Sequence, residues 1–203
     1  MFLKALAFTS LLTSAANAAT LTTLPANNGS GGVFLSLTPV TSTIQLTGFT
    51  AYLGSSTVGT PAEIEIWARV GSYAGFTASN SGWTLLETVT GIAAGTSTES
   101  AAINFGTPIE LPFGQTTSLY FHSITLGNGI RYQGIGTTST STFSNADISL
   151  FSDVSRTGTA PFAGNQFTPR AFAGTIIYAV PEPSTALILG ASLIGLARRR
   201  RIS

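Results

Sequence analysis

Residues 62–70 read AEIEIWARV, and their alternation decides the fold class. Ile64, Ile66, Ala68 and Val70 fall on one side of an extended chain, and Glu63, Glu65, Trp67 and Arg69 fall on the other. Side chains that switch sides at every residue mark a strand with one apolar face, whereas a helix would repeat every ~3.6 residues. Outward from this stretch, short apolar runs recur at 33–37, 43–53, 83–90, 99–105, 117–126, 130–134, 146–151 and 171–180. Glycine, serine, threonine and proline separate them, and nothing in 19–180 shows a helical period with caps. Short strands without intervening helices predict an all-β domain, an antiparallel β-sandwich of jelly-roll or immunoglobulin-like type.

Two local details refine that expectation. In 43–53 the apolar phase moves from Ile44 and Leu46 to Phe49 and Ala51, so a bulge is predicted at Gly48. Gly127-Asn128-Gly129 carries the Asn-Gly signal of a type I′ turn, which predicts direct pairing of 117–126 with 130–134. The longer connections 71–82 and 152–170 are where binding residues would sit.

The composition excludes several function classes. With 43% hydrophobic and only 8% charged residues, the chain is not disordered. It has no cysteine, so disulfides, thiolate metal sites and a thiol nucleophile are absent from its chemistry. Five of its nine basic residues, Lys4 and Arg198 to Arg201, stand outside 19–180, where four arginines face seven acids for a net charge of −3. A weakly acidic, hydroxyl-rich domain does not suit nucleic acid.

The two ends read as addresses. Residues 1–18 hold a charge at Lys4, an apolar run over 5–12 and the small-x-small site Ala16-Asn17-Ala18, the three parts of a signal peptide cut by signal peptidase after Ala18. Residues 181–203 begin with Pro181-Glu182-Pro183, where two residues lack amide donors and regular structure stops. The uncharged stretch 185–197 follows, about 20 Å long as a helix at ~1.5 Å per residue against a hydrocarbon core of ~30 Å. Proline rings at one interface and snorkelling arginines at the other narrow that gap into a short transmembrane helix. Arg198, Arg199, Arg200 and Arg201 are then topogenic charges that hold this end in the cytoplasm while the preceding chain crosses the inner membrane.

Pro181-Glu182-Pro183, an apolar helix containing Gly190 and Gly195, and an arginine cluster together resemble the PEP-CTERM sorting signal of exported proteins in Gram-negative bacteria. The resemblance implies that exosortase, a membrane-embedded protease or transpeptidase, cuts near the motif and passes the protein to the cell surface or extracellular matrix. Such a chain is a substrate of two processing enzymes and a biofilm component beside exopolysaccharide. GSYAGF at 71–76, WTLL at 83–86 and FTPRAFAGTIIY at 167–178 are similar to a secreted β-sandwich module of bacterial surface proteins, a likeness that implies no activity.

The catalytic inventory is thin. His122 is the single imidazole, and a triad with Ser55 or Ser123 and with Asp147 or Asp153 has no nucleophile elbow to support it. Glu63 and Glu65 lie about 7 Å apart at i and i+2 on one strand face, side by side rather than on opposite sides of a sugar. Asp147 and Asp153 lack the spacing of a calcium loop. No enzyme activity, metal or other cofactor is therefore predicted. The alternative function is carbohydrate binding, with Trp67, Tyr73 and Trp83, and Phe76 beside them, as an exposed aromatic platform for exopolysaccharide. Against it stands a core role for the same rings, covered by the 71–82 loop.

Overall fold

The computed structural model describes residues 16–134 and 141–181, and every regular element within them is a strand. In chain order these are β1 (Ala16–Thr22), β2 (Asn28–Ser30), β3 (Gly32–Pro39), β4 (Ile44–Ala51), β5 (Pro61–Val70), β6 (Thr84–Ile92), β7 (Ile103–Leu111) and β8 (Thr117–Ser123). There follow β9 (Ile130–Gly134), β10 (Thr142–Ser144), β11 (Ile148–Phe151), β12 (Ser155–Arg156), β13 (Gln166–Phe167), β14 (Arg170–Phe172) and β15 (Gly174–Pro181). One sheet has the order β1-β15-β4-β7, and a second runs β10-β11-β3-β8-β5-β6 with β12 also on β3 and β13 on β12. A small third sheet orders β14-β9-β2.

The alternating runs face one another across a single core. Ile44, Leu46 and Phe49 of β4 and Ile176 and Tyr178 of β15 are fully buried against Leu35, Ile64, Ile66, Leu119 and Phe121 of the second sheet. Phe49 stacks on Phe121 with ring centroids 4.3 Å apart. This is the layering of a β-sandwich, and the residues 18–180 form one compact unit.

The phase shift in β4 is a bulge. Against β15, Leu46 opposes Tyr178 and Gly48 opposes Ile177, which leaves Thr47 as the extra residue, while against β7 Leu46 opposes Ile109 and Gly48 opposes Asn104, so that residues 105–108 lie opposite Thr47. Glycine is required beside it, because a Cβ at position 48 would lie 2.5 Å from the carbonyl oxygen of Ile103.

The hairpin expected at 127–129 does not form. Both edges of β8 are already occupied, by β3 and by β5, so no edge is left for β9. At its end Ser123 accepts the Leu126 amide on its hydroxyl, the chain turns away, and β9 pairs with β2 and β14 instead. Neither Asn128 nor Gly129 adopts the positive φ that a type I′ turn needs. Gly129 serves close approach: a Cβ there would meet the Ser123 Cβ at 2.0 Å.

The two ends are described only in part. Ala16, Asn17 and Ala18, read as the close of a signal peptide, are the first residues of β1. Residues 1–15 of the signal segment, Glu182 and Pro183 of the sorting motif, the 185–197 stretch and Arg198 to Arg201 lie outside the described residues.

Alternation alone also understates the central strands. Every residue of β8 is buried, and nearly all of β3. The face that points away from the main core is roofed by the connections 71–83 and 152–165, which enclose Phe34, Tyr73, Trp83, Tyr120, Val154 and Phe162 as a second apolar cluster.

Candidate functional site

Cross-strand register sets out the roofed face in rows, since directly opposed residues share a side of the sheet. Gly32, His122 and Glu65 form one row, and Phe34, Tyr120 and Trp67 the next. Phe34 lies flat on Tyr120, with centroids 3.9 Å apart and planes at 4°. Phe162 descends from the roof onto both Tyr120 and Trp67, at 4.8 Å and 5.2 Å.

A groove of about 550 Å³ opens above this face, floored by Glu65 and Trp67 of β5 and walled by 78–80 on one side and 161–163 on the other. Its walls are tied down. Arg156, almost fully buried, donates Nη1 to the carbonyls of Gly164 at 2.9 Å and Ala163 at 3.4 Å. Across the groove, the Trp83 indole donates to the Phe76 carbonyl at 2.7 Å, and Thr77 donates to Gln166 Oε1 at 2.6 Å. Gln166 Oε1 also accepts from Arg156 Nη2 at 3.4 Å, so one carboxamide links both walls. Phe162 holds a φ of 60°, a left-handed conformation that is strained for a bulky residue and is fixed here by the ring contacts beneath it.

The structure redistributes the sequence candidates. Tyr73 and Trp83 are 2% and 8% exposed and belong to the second apolar cluster, so they form no exposed platform. Burial of large rings under the 71–83 connection gains more than their exposure would, and each polar tip finds a partner: Tyr73 donates to Asp153 at 2.6 Å. Phe76 is exposed and lies under the Arg69 guanidinium at 3.6 Å. Trp67 alone remains half-exposed at the groove floor, its indole N–H donating to Glu65 Oε2 at 2.8 Å.

His122 is fully buried and its Nδ1 pairs with the Tyr120 hydroxyl at 2.6 Å. None of its proposed triad partners reaches it. Ser55 bonds Thr57 and Thr60, Ser123 takes the Leu126 amide, Asp147 accepts from Tyr178, and Asp153 accepts from Tyr73. Glu63 is exposed while Glu65 is held by Trp67, so the two carboxylates have separate surroundings. Among the described residues no three His, Asp or Glu side chains gather as a metal site. The register missed by sequence reading is the one that puts Glu65 beside His122 and Trp67 beside Tyr120, because it depends on which strand flanks β8.

Burial lowers the His122 pKa from 6.5 to about 4, against a smaller opposing effect of the Thr159 backbone. The unfolded chain therefore binds the proton more tightly, and stability is full above the unfolded value of 6.5 and falls as the pH drops towards 4. Between pH ~7 and ~5 the expected loss is about 2 kcal/mol, a window largely above carboxylate titration. Urea midpoints at those two pH values measure it. His122→Gln should flatten the dependence, and an unchanged slope in that variant would assign the acid sensitivity elsewhere.

Among known proteins, a family model for the PEP-CTERM protein-sorting motif matches residues 179–201. No curated protein matches the chain. The matched segment begins within the last residues of β15 and takes in Pro181-Glu182-Pro183 and all four arginines.

Proposed function

We propose that this chain is an exported, non-enzymatic protein of the cell surface or extracellular matrix, processed at one end by signal peptidase and at the other by an exosortase. The sorting motif at 179–201 carries the reading. Towards the processing enzyme the protein is passive. Pro181 is the final residue of β15, so extended chain leads directly into the motif, and the two prolines keep the cut region free of helix. The apolar stretch holds that region at the membrane while the arginines stop its complete transfer. The β-sandwich is the cargo.

Intact mass spectrometry of the surface or secreted form tests this directly. The expected mass lacks residues 1–18 and a C-terminal piece cut near 181–183, with any group added by transpeptidation appearing as an increment. A surface form that retains Arg198 to Arg201 would overturn exosortase processing, and one that retains Met1 would overturn signal cleavage.

A further inference from the structure

We infer that the groove over β5 is a binding site for a neutral saccharide, with Trp67 as the stacking surface and Glu65 and Asn80 as partners for sugar hydroxyls. The inference goes beyond the sorting reading and does not depend on it. The volume of about 550 Å³ falls within the range of roughly 300–1,000 Å³ usual for small-molecule sites. Trp67 is positioned in advance, edge-on to Phe162 at 84° and fastened through its indole N–H to Glu65, so little rotamer freedom remains to be lost on binding. A partly exposed indole suits the apolar C–H face of a sugar ring, while polar groups at its margin take the hydroxyls.

The polar groups have capacity to spare. Trp67 engages only Oε2 of Glu65, and among the described residues no group bonds its other oxygen. Asn80 spends its backbone carbonyl on the Trp83 amide, and among the described residues its exposed carboxamide bonds nothing. A carboxylate that only accepts beside an amide that both donates and accepts matches vicinal hydroxyls.

Charge selects neutral polymers. No basic residue lines the groove, and residues 19–180 carry a net charge of −3. Arg69 covers Phe76, Arg156 holds the roof, and Arg170 lies 5.2 Å over the Tyr132 ring. A uronate next to Glu65 would meet an unpaired like charge, which disfavours acidic polysaccharides.

Affinity-gel electrophoresis of the full chain in a zwitterionic, sugar-free detergent tests the site, with galactomannan, xyloglucan and dextran as neutral probes and alginate and pectate as acidic ones. Retardation by at least one neutral polymer and by neither acidic one is expected. Trp67→Ala should weaken it tenfold or more, and Glu65→Gln and Asn80→Ala several-fold. Trp67→Phe keeps a ring against Phe162 and should retain part of the binding, which guards against a folding defect in the alanine variant, with near-UV circular dichroism as the check. No retardation by any neutral polymer, equal retardation by the acidic ones, or unchanged retardation in both Glu65→Gln and Asn80→Ala would overturn the inference.

Discussion

Phe121→Ala is expected to remove about 3–5 kcal/mol of folding stability, the usual range for deleting a buried phenylalanine. Phe121 has no exposed surface and stands in β8, the strand flanked on both sides within its sheet. Its ring stacks on Phe49 across the core and meets Phe172 edge-on at 6.0 Å and Phe105 at 6.4 Å. Those neighbours come from three further segments of the chain, so none can move in to fill the space without breaking its own ladder. Against a typical total of ~5–15 kcal/mol, the loss leaves the variant marginal. The urea midpoint should fall by at least ~1 M, given slopes of ~1–3 kcal/mol per molar. Phe113→Ala is the control: Phe113 is 60% exposed, and its removal should move stability by less than ~0.5 kcal/mol. Equal shifts in the two variants would contradict a single core between the sheets.

Replacing Arg198, Arg199, Arg200 and Arg201 together by glutamate should abolish normal delivery while leaving the fold intact. The substitution changes the tail by eight charges and removes the block to transfer, since acidic residues contribute little to holding a flank in the cytoplasm. The tail then slips through the membrane or stalls before processing. Cell fractionation with immunoblotting should show the surface form lost, with unprocessed chain either retained or released. Mature protein at normal mass and quantity on the surface would show that the arginines do not set the topology. The two substitutions separate cleanly: one tests the cargo, the other its address.

Much of the fold is legible residue by residue. The alternation at 62–70, the phase change between Leu46 and Phe49, and most of the recurrent short runs each correspond to a strand or a bulge, because a period of two is imposed by the backbone itself. The run read at 99–105 does not: the strand there is β7, which begins at Ile103 and continues to Leu111. Short strands such as β2, β12 and β13 escaped notice, since two or three residues carry no period. The Asn-Gly turn failed for a different reason. Turn propensity is local, but whether β8 has a free edge depends on β3 and β5, which come from distant parts of the chain.

The candidate site divides in the same way. Its residue types were visible in the sequence as aromatics beside carboxylates, but Trp67, Tyr73 and Trp83 look equivalent there. Two lie in the second apolar cluster and one at the floor of a groove, a distinction made by loops that fold over the sheet from residues 71–83 and 152–165.

By itself, then, the sequence determined the all-β class, the bulge, the charge contrast between domain and ends, and the sorting motif, because each is written in a short stretch or in composition. Strand order, the burial of both faces of β8, the low pKa of His122 and the placing of Trp67, but not Tyr73 or Trp83, at the floor of a groove were decided only by the tertiary structure. They depend on which distant segments meet, and a residue's exposure and electrostatic surroundings belong to that meeting rather than to its neighbours in the chain.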